Sequence, residues 1–293
     1  MTEADTWTGE DARRILRVPT STDDKYSRGV LGLRTGSTAY PGAAVLGVEA
    51  AWRTGVGMVR YLGPSRAQDL ILARRPETVT ADGRVQAWVI GSGTDAADRS
   101  SEEEAALRSI LSDALPVVVD AGALDLATFG TAPRILTPHA RELDRVRAAL
   151  GLPALARDAD ELARADAARE TAAASGATVL LKGAVTVIAT PAGWTRRVAS
   201  GTPWLATAGT GDVLGGVIGA IVAGASAGAS PEQGVERLGA LAATGAWLHG
   251  RAGTTAAGRL GVAGGPITAL DVAEALARVV ASVADTELSG HDR

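Results

Sequence analysis

The segment Ala206-Thr207-Ala208-Gly209-Thr210-Gly211-Asp212-Val213-Leu214-Gly215-Gly216 carries a glycine-rich turn directly into an apolar helical pattern. Glycine lets a backbone approach a ligand closely, and the first turn of a helix presents unpaired N–H groups. Together with the helix dipole, these groups bind phosphate. Anion binding alone needs no carboxylate. We therefore predict that Asp212 is a base that takes a proton from a hydroxyl attacking a phosphoryl group, while the N–H groups of Gly209, Thr210 and Gly211 hold that group.

A second interpretation of Asp212 stays open at this stage, because aspartate is also a common helix cap. Two familiar phosphate motifs are excluded. A P-loop requires lysine after its second glycine, and the only lysines are Lys25 and Lys182. A dinucleotide fingerprint would require glycine where the sequence has Leu214.

The amino-acid composition excludes several classes of function. The 293 residues are 46% hydrophobic, with a formal net charge of −4 and no cysteine, which excludes disulfides and thiol nucleophiles. The histidines, His139, His249 and His291, have no metal-like spacing, so no protein metal site is predicted. No basic block indicates nucleic-acid binding. The acidic N-terminus does not resemble a secretory signal, and the apolar stretch 213–229 is short for a membrane span, so we expect a cytoplasmic enzyme with no membrane or nucleic-acid partner.

Short apolar strands alternate with helices along the chain, which predicts an α/β fold with a mainly parallel central sheet flanked by helices on both faces. We expect a flexible N-terminus over 1–10, one domain over 11–285 and a flexible tail over 286–293. The predicted strands cover 29–35, 55–62, 85–90, 116–119, 134–136, 178–181, 184–190 and 193–199. The predicted helices cover 41–54, 101–114, 157–175, 212–225, 231–251 and 268–283.

Ligands of such sheets bind beyond the carboxyl ends of the strands. The turns after residues 35, 90, 119, 136 and 181 carry glycines, acids or a lysine. We therefore expect all of them to lie at one edge of the sheet, beside the loop over 209–212.

Eight short motifs occur in order between residues 25 and 252. They are Lys25-Tyr26-Ser27-Arg28-Gly29, Tyr40-Pro41-Gly42-Ala43-Ala44, Gly55-Val56-Gly57-Met58-Val59, Gly91-Ser92-Gly93, Val119-Asp120-Ala121, Thr137-Pro138-His139 with Glu142, Lys182-Gly183-Ala184-Val185-Thr186, and the entry to the helix at Asp212. In this order the sequence resembles the ADP-dependent NAD(P)H-hydrate dehydratases of the ribokinase-like superfamily. It departs from their pattern at Ser92, where proline is usual, and at Gly122, where a second acid often follows Asp120.

The resemblance implies a ribokinase-like fold and a lyase that repairs the hydrated cofactors NADHX and NADPHX. It implies ADP as phosphoryl donor, a magnesium ion on the phosphates, and a homotetramer. Lys182, Gly183, Ala184, Val185 and Thr186 would hold the nucleotide with the 209–211 loop, and Ala43, Gly93, His139 and Asp212 would contact the hydrated dinucleotide. Some relatives carry an additional epimerase domain, and we expect the dehydratase alone here.

Several alternatives stay open. The same fold could serve a kinase of a vitamin-precursor alcohol such as hydroxyethylthiazole, or a non-catalytic nucleotide sensor. Asp120 is equally well interpreted as a helix cap or as a group that orients magnesium or a ribose. Thr137 and Pro138 are typical of a helix cap and a first helical residue, and Glu142 is expected to bond back to that helix start without a catalytic role.

Overall fold

Eight short strands form one sheet in this computed structural model, which describes residues 5–227 and 234–285. Their spatial order is β2-β1-β3-β4-β5-β6-β7-β8. Neighbouring strands from β2 to β6 are parallel, and β7 and β8 continue the sheet in antiparallel pairing. The bounds are β1 Val30–Arg34, β2 Met58–Tyr61, β3 Ala87–Ile90, β4 Val117–Val119, β5 Arg134–Leu136, β6 Thr178–Leu181, β7 Thr186–Ala189 and β8 Thr195–Val198.

Helices cover both faces of the sheet, as predicted. The bounds are α1 Gly9–Ile15, α2 Pro41–Thr54, α3 Ser65–Arg74, α4 Ser101–Leu111, α5 Ala140–Ala149, α6 Glu161–Ser175, α7 Thr210–Ser226, α8 Arg237–Gly258 and α9 Ala269–Ala284. Helices α2, α7, α8 and α9 pack around one apolar core, and α4, α5 and α6 line the other. Successive strand residues point to opposite cores, since Val118 lies in the first and Val119 in the second.

The two cores explain why the strands are uniformly apolar. A parallel sheet that is covered on both faces buries every side chain of its central strands. All three residues of β4 and all four residues of β6 are buried. The chain therefore has no polar-apolar alternation in these strands, and their bounds depend on the turns that follow them.

Several element bounds differ from the sequence predictions. Helix α6 begins at Glu161 instead of 157, because the Asp160 carboxylate accepts a hydrogen bond from the N–H of Ala163 and caps it. Helix α8 begins at Arg237 and continues to Gly258; positions 231–233 of the predicted helix lie outside the described residues. Helices α1 and α3 have no counterpart among the helices predicted from the sequence.

The segment over 1–10, predicted to be flexible, includes residues that pair with β8 and begin α1. Thr6 forms a bridge with Arg197, and the N–H of Trp7 donates to the carbonyl of Arg197. Thr8 and Asp11 form a reciprocal capping box at the start of α1. Residues 1–4 and the predicted tail over 286–293 lie outside the described residues. Among the described residues, no helix is both long and apolar enough to span a membrane.

A buried carboxylate joins α2 to the C-terminal end of α3. Glu49 is fully buried and forms ion pairs with Arg53, Arg74 and Arg75. Burial alone would raise its pKa, but the hydrogen bonds and charges of the arginines outweigh burial and lower the pKa of Glu49 to about 2. A group with a depressed folded pKa stabilises the fold above its unfolded pKa, and this contribution is lost as pH falls.

We expect Glu49→Gln to lower the free energy of unfolding by about 2 kcal/mol at pH 7, because the amide cannot neutralise the cluster. Denaturant titrations at pH 7 and pH 3 measure this, and the difference from wild type should shrink between pH 4.5 and about 2. Glu274→Gln is the control, since it removes an exposed partner of the same Arg74 and should cost less than about 1 kcal/mol. Equal effects of the two variants on the free energy of unfolding would contradict the conclusion that the buried Glu49 carboxylate stabilises the fold.

Candidate active site

The turns that follow the parallel strands meet at one edge of the sheet, as expected. The N–H of Gly36, after β1, donates to the carbonyl of Ser92, after β3. The N–H of Lys182, after β6, donates to the carbonyl of Pro138, after β5, at 2.8 Å. A Cβ placed at Gly211 would lie 3.8 Å from Lys182 Nζ. The loop over 209–212 therefore lies beside the same edge.

Asp120 is the centre of this edge. It is almost fully buried, and its carboxylate accepts hydrogen bonds from Ser92 Oγ at 2.8 Å, Thr137 Oγ1 at 2.7 Å and Lys182 Nζ at 2.9 Å. Burial alone would raise its pKa, but the Lys182 charge and these hydrogen bonds lower the pKa of Asp120. Asp120 makes no capping hydrogen bond to the helical turn that follows it, so the cap interpretation is wrong. The carboxylate, at the end of β4, instead joins the ends of three further strands, β3, β5 and β6.

Ser92, at the position where the family that this sequence resembles usually has proline, contributes a hydrogen bond to the site. Its hydroxyl is one of the donors to Asp120. Proline has no side-chain donor at this position. The hydroxyl thus adds a hydrogen bond to the Asp120 network of this chain.

The helix that follows the glycine loop begins at Thr210, with Gly209 at its N-cap in the left-handed conformation (φ 89°). A non-glycine residue would be strained there. Among the described residues, no hydrogen bond uses the N–H groups of Gly209 or Gly211. The Thr210 hydroxyl donates to the loop carbonyls of Leu205 and Thr207, and its N–H donates to the carbonyl of Thr207 at 3.4 Å. Thr210 therefore stabilises the loop, and the N–H groups of Gly209 and Gly211 are the ones that the described residues leave unpaired. The loop has the unpaired donors that phosphate binding requires.

Asp212 lies on the first turn of α7 and is not a cap. It is half-buried, and no residue that the structure describes donates a hydrogen bond to its carboxylate. Burial raises the pKa of Asp212 to about 7; the charge of Asp120 adds to this rise and the charge of Lys182 opposes it. A carboxyl group with a pKa near neutrality and free oxygens is suited to accept a proton from a substrate.

The pKa of Asp212 predicts the pH dependence of catalysis. A base works only when deprotonated, so kcat/KM should rise with pH and be half-maximal near pH 7. Measuring kcat/KM from pH 5.5 to 9, with circular dichroism at each pH to verify folding, tests this. A half-maximal point below pH 5 would contradict a role for a carboxyl group in this environment.

The predicted nucleotide segment, Lys182 to Thr186, forms the turn between β6 and β7. Gly183 and Ala184 are exposed, and the Lys182 carbonyl accepts a hydrogen bond from Arg164. Burial alone would lower the pKa of Lys182, but the charges of Asp120 and Glu142 outweigh it and raise the pKa. Lys182 is therefore a cation held between Asp120 and the phosphate loop.

The predicted dinucleotide residues lie on both sides of Asp120: Ala43 and Gly93 follow β1 and β3, and His139 follows β5. A Cβ at Gly93 would collide with Cβ of Ala43, so these two backbones approach closely. Gly93 itself is left-handed (φ 67°). The His139 side chain is half exposed. The structure thus brings Ala43 and Gly93 together and places His139 at the neighbouring turn after β5.

The helix start after β5 differs from the sequence prediction. His139, not Thr137, caps α5, because its Nδ1 accepts the N–H of Glu142 while the Glu142 carboxylate accepts the N–H of His139 at 2.8 Å. The Thr137 hydroxyl is already bound to Asp120. Glu142 bonds back to the helix start as expected, and also lies 3.7 Å from Lys182 Nζ.

The sequence analysis gave no role to His249, which belongs to α8 behind the glycine loop. Burial lowers its pKa to about 4, and a hydrogen bond to the backbone of Thr210 opposes this shift only partly. His249 is therefore neutral at pH 7 and supports the loop. A lone histidine on an apolar helix gave no spacing signal that could reveal it.

Comparison with known proteins identifies the family. The family model for NAD(P)H-hydrate dehydratase, Carb_kinase, matches residues 31–277. The chain belongs to this family. An ADP-dependent (S)-NAD(P)H-hydrate dehydratase of Neisseria meningitidis is 34% identical over 268 residues, which cover 86% of this chain and 85% of the relative.

Two further relatives extend the comparison. The bifunctional NAD(P)H-hydrate repair enzyme Nnr of Mycobacterium tuberculosis is 46% identical over 211 residues, which cover 68% of this chain but 42% of that relative's length. The crystal structure of the ADP/ATP-dependent NAD(P)H-hydrate dehydratase of Bacillus subtilis, co-crystallized with ATP/Mg2+, superposes with a TM-score of 0.80 at 28% identity, covering 97% of this chain and all of the other. The ribokinase-like fold is confirmed.

Proposed function

We propose that this protein catalyses the ADP-dependent dehydration of NADHX and NADPHX to NADH and NADPH. The observation that carries the proposal is the half-buried Asp212 carboxylate, free of hydrogen bonds to the described residues, on the first turn of α7 beside unpaired loop N–H groups. Family membership supports the substrate, and the name of the Neisseria meningitidis relative supports ADP as donor.

The proposed reaction begins with proton transfer. Asp212 takes the proton of the ring hydroxyl while the hydroxyl oxygen forms a bond to the β-phosphorus of ADP. The bond from that phosphorus to the bridging oxygen breaks, and AMP leaves with the electron pair. The N–H groups of Gly209 and Gly211, with the α7 dipole, stabilise the charge on the moving phosphoryl group.

Phosphorylation replaces hydroxide, which is a poor leaving group, by phosphate, which is a good one. The lone pair of the ring nitrogen then expels phosphate, and loss of a proton from the adjacent ring carbon to water restores the conjugated dihydropyridine. The sum is hydrated cofactor plus ADP giving reduced cofactor, AMP and phosphate.

Magnesium would be held mainly by the nucleotide. Asp120 is occupied by three donors, and within residues 5–227 and 234–285 no group of three or more acidic or histidine side chains could hold a metal ion. Mg²⁺ commonly keeps its waters and binds phosphate oxygens, so these residues fit an ion carried on the phosphates. Such an ion would neutralise phosphate charge when bound.

The test follows recovery of the reduced coenzyme. Hydrated NADH is incubated with the protein, MgCl₂ and either ADP or ATP, and absorbance at the dihydropyridine band is followed together with released phosphate. We expect both signals to rise in equal amounts. Binding of ADP without turnover would favour a nucleotide sensor, and a stable phosphoester from hydroxyethylthiazole with ATP would favour a kinase.

Assembly and location are further parts of the proposal. We expect a homotetramer in the cytoplasm, on the strength of the family resemblance. Light scattering on the purified chain measures the assembly, and a dominant monomer at micromolar concentration would contradict the tetramer.

A further inference from the structure

Next to the Asp120 edge lies a cavity of about 340 Å³ that none of the reaction steps above uses. One wall is a single face of α5, formed by Glu142, Arg145, Val146 and Ala149, which are spaced as successive turns of one helix stripe. The opposite wall is the segment over 121–128, which begins with the helical turn Ala121–Leu126. The rim includes Thr94 and Asp95. This volume is in the range of small-ligand sites.

The cavity adjoins the candidate active site through Glu142 and through residues next to Gly93 and Asp120 in the sequence. Glu142 lines the cavity, and its carboxylate accepts the N–H of His139. Thr94 follows Gly93 directly, and Ala121 follows Asp120. Ala121 is the one non-glycine residue with positive φ (45°) among the described residues. Strained backbone of this kind is concentrated at ligand sites.

The lining of the cavity fits a nucleoside joined to phosphate. Val146, Leu124 and Ala127 offer an apolar surface, and the carboxylate of Asp95 offers an acceptor for a ribose hydroxyl. The carboxylate of Asp125 is paired with Arg99. Arg145 is exposed, and no hydrogen bond or ion pair joins it to any other residue that the structure describes. A guanidinium that lacks a protein partner at the mouth of a ligand cavity fits a phosphate group.

The direction of the cavity matches a dinucleotide whose reacting ring is at Asp212. The α5 face runs away from His139 for about 14 Å, at 1.5 Å per residue. The proposed ADP segment, Lys182 to Thr186, lies on β6 and β7, on the other side of β5 from β4 and the 121–128 segment. The two nucleotides would thus lie on opposite sides of β5.

We propose that this cavity holds the adenosine half of the hydrated dinucleotide and that Arg145 pairs with one of its phosphates. The proposal depends on the function proposed above, because it assumes that the substrate is a dinucleotide. It adds a binding site and a positively charged contact remote from the reacting ring.

Two variants test the site. Arg145→Ala removes the cation and Ala149→Trp fills the cavity from an exposed helix position. We expect each to lower kcat/KM for the hydrated dinucleotide by about tenfold or more, because Arg145→Ala loses one charge-assisted contact and the indole ring of Ala149→Trp would occupy the space of the ligand. The KM for ADP should not change. Initial rates with hydrated NADH and hydrated NADPH, each at saturating ADP and MgCl₂, provide the measurement.

Matched controls separate this effect from general damage. Arg278→Ala removes an exposed arginine from α9, on the opposite face of the sheet. Ala148→Trp adds the same bulk one position earlier on α5, at an exposed residue that does not line the cavity. Both should retain kcat/KM within about twofold, as surface substitutions usually do.

The outcomes are distinct. A loss for both substrates assigns Arg145 to the pyrophosphate, and a loss confined to hydrated NADPH assigns it to the 2′-phosphate; either supports the site. Unchanged kcat/KM in both cavity variants, or a raised KM for ADP instead, overturns it. Wild-type protein that turns over neither substrate would overturn the proposed function instead.

Discussion

Asp212→Asn should reduce kcat by about a hundredfold to ten thousandfold, the range that removal of a general base produces. Asparagine keeps the size of the side chain but has no oxygen that can accept and keep a proton. The loop N–H groups and the α7 dipole stay in place, so ADP affinity should be nearly unchanged. Single-turnover rates with hydrated NADH, together with calorimetric titration of ADP, measure the two quantities separately.

The stability of this variant provides its control. Because the folded pKa of Asp212 is raised, the ionised carboxylate destabilises the fold as pH increases from its unfolded value through about 7. The neutral amide removes this cost, so Asp212→Asn should have an equal or higher Tm than wild type at pH 8. A lower Tm with lost activity would indicate structural damage, and retained activity would contradict the assignment of the base.

The sequence was sufficient to predict the edge at which the site lies. The carboxyl ends of parallel strands meet at one edge whatever their order, so the turns after residues 35, 90, 119, 136 and 181 could be grouped without knowledge of the strand order. The glycine loop was equally informative, because a left-handed Gly209 and the start of α7 depend on neighbouring residues. The common edge of parallel strands and a turn formed by neighbouring residues can both be predicted from a single sequence.

The role of Asp120 could not be predicted, because its partners are distant in sequence. Thr137, Ser92 and Lys182 lie 17, 28 and 62 residues away, and no periodicity links them. The same interaction explains why Thr137 is not the cap of α5. Local preference favours threonine over histidine at an N-cap, but the Thr137 hydroxyl is bound to Asp120, so His139 takes that position.

Lys182→Met should have the largest combined effect on stability and nucleotide binding. Methionine keeps an unbranched apolar side chain but removes the cation that lies 2.9 Å from Asp120 and 3.7 Å from Glu142. Leaving a buried carboxylate without its counter-charge costs about 3 kcal/mol of unfolding free energy. We expect ADP affinity to fall by about tenfold to a hundredfold, as loss of a charged hydrogen bond implies.

The pH profile distinguishes this electrostatic role from simple packing. Lys182 opposes the rise in the pKa of Asp212, and Asp120 adds to it, so the two aspartates titrate as interacting groups once the cation is gone. The acidic cluster then holds its last proton more tightly, so the half-maximal pH of kcat/KM should move above that of wild type. Lys25→Met is the matched control, because Lys25 is the only other lysine and is exposed. An unshifted profile in Lys182→Met, with ADP affinity equal to that of Lys25→Met, would mean that Lys182 acts on neither Asp212 nor the nucleotide.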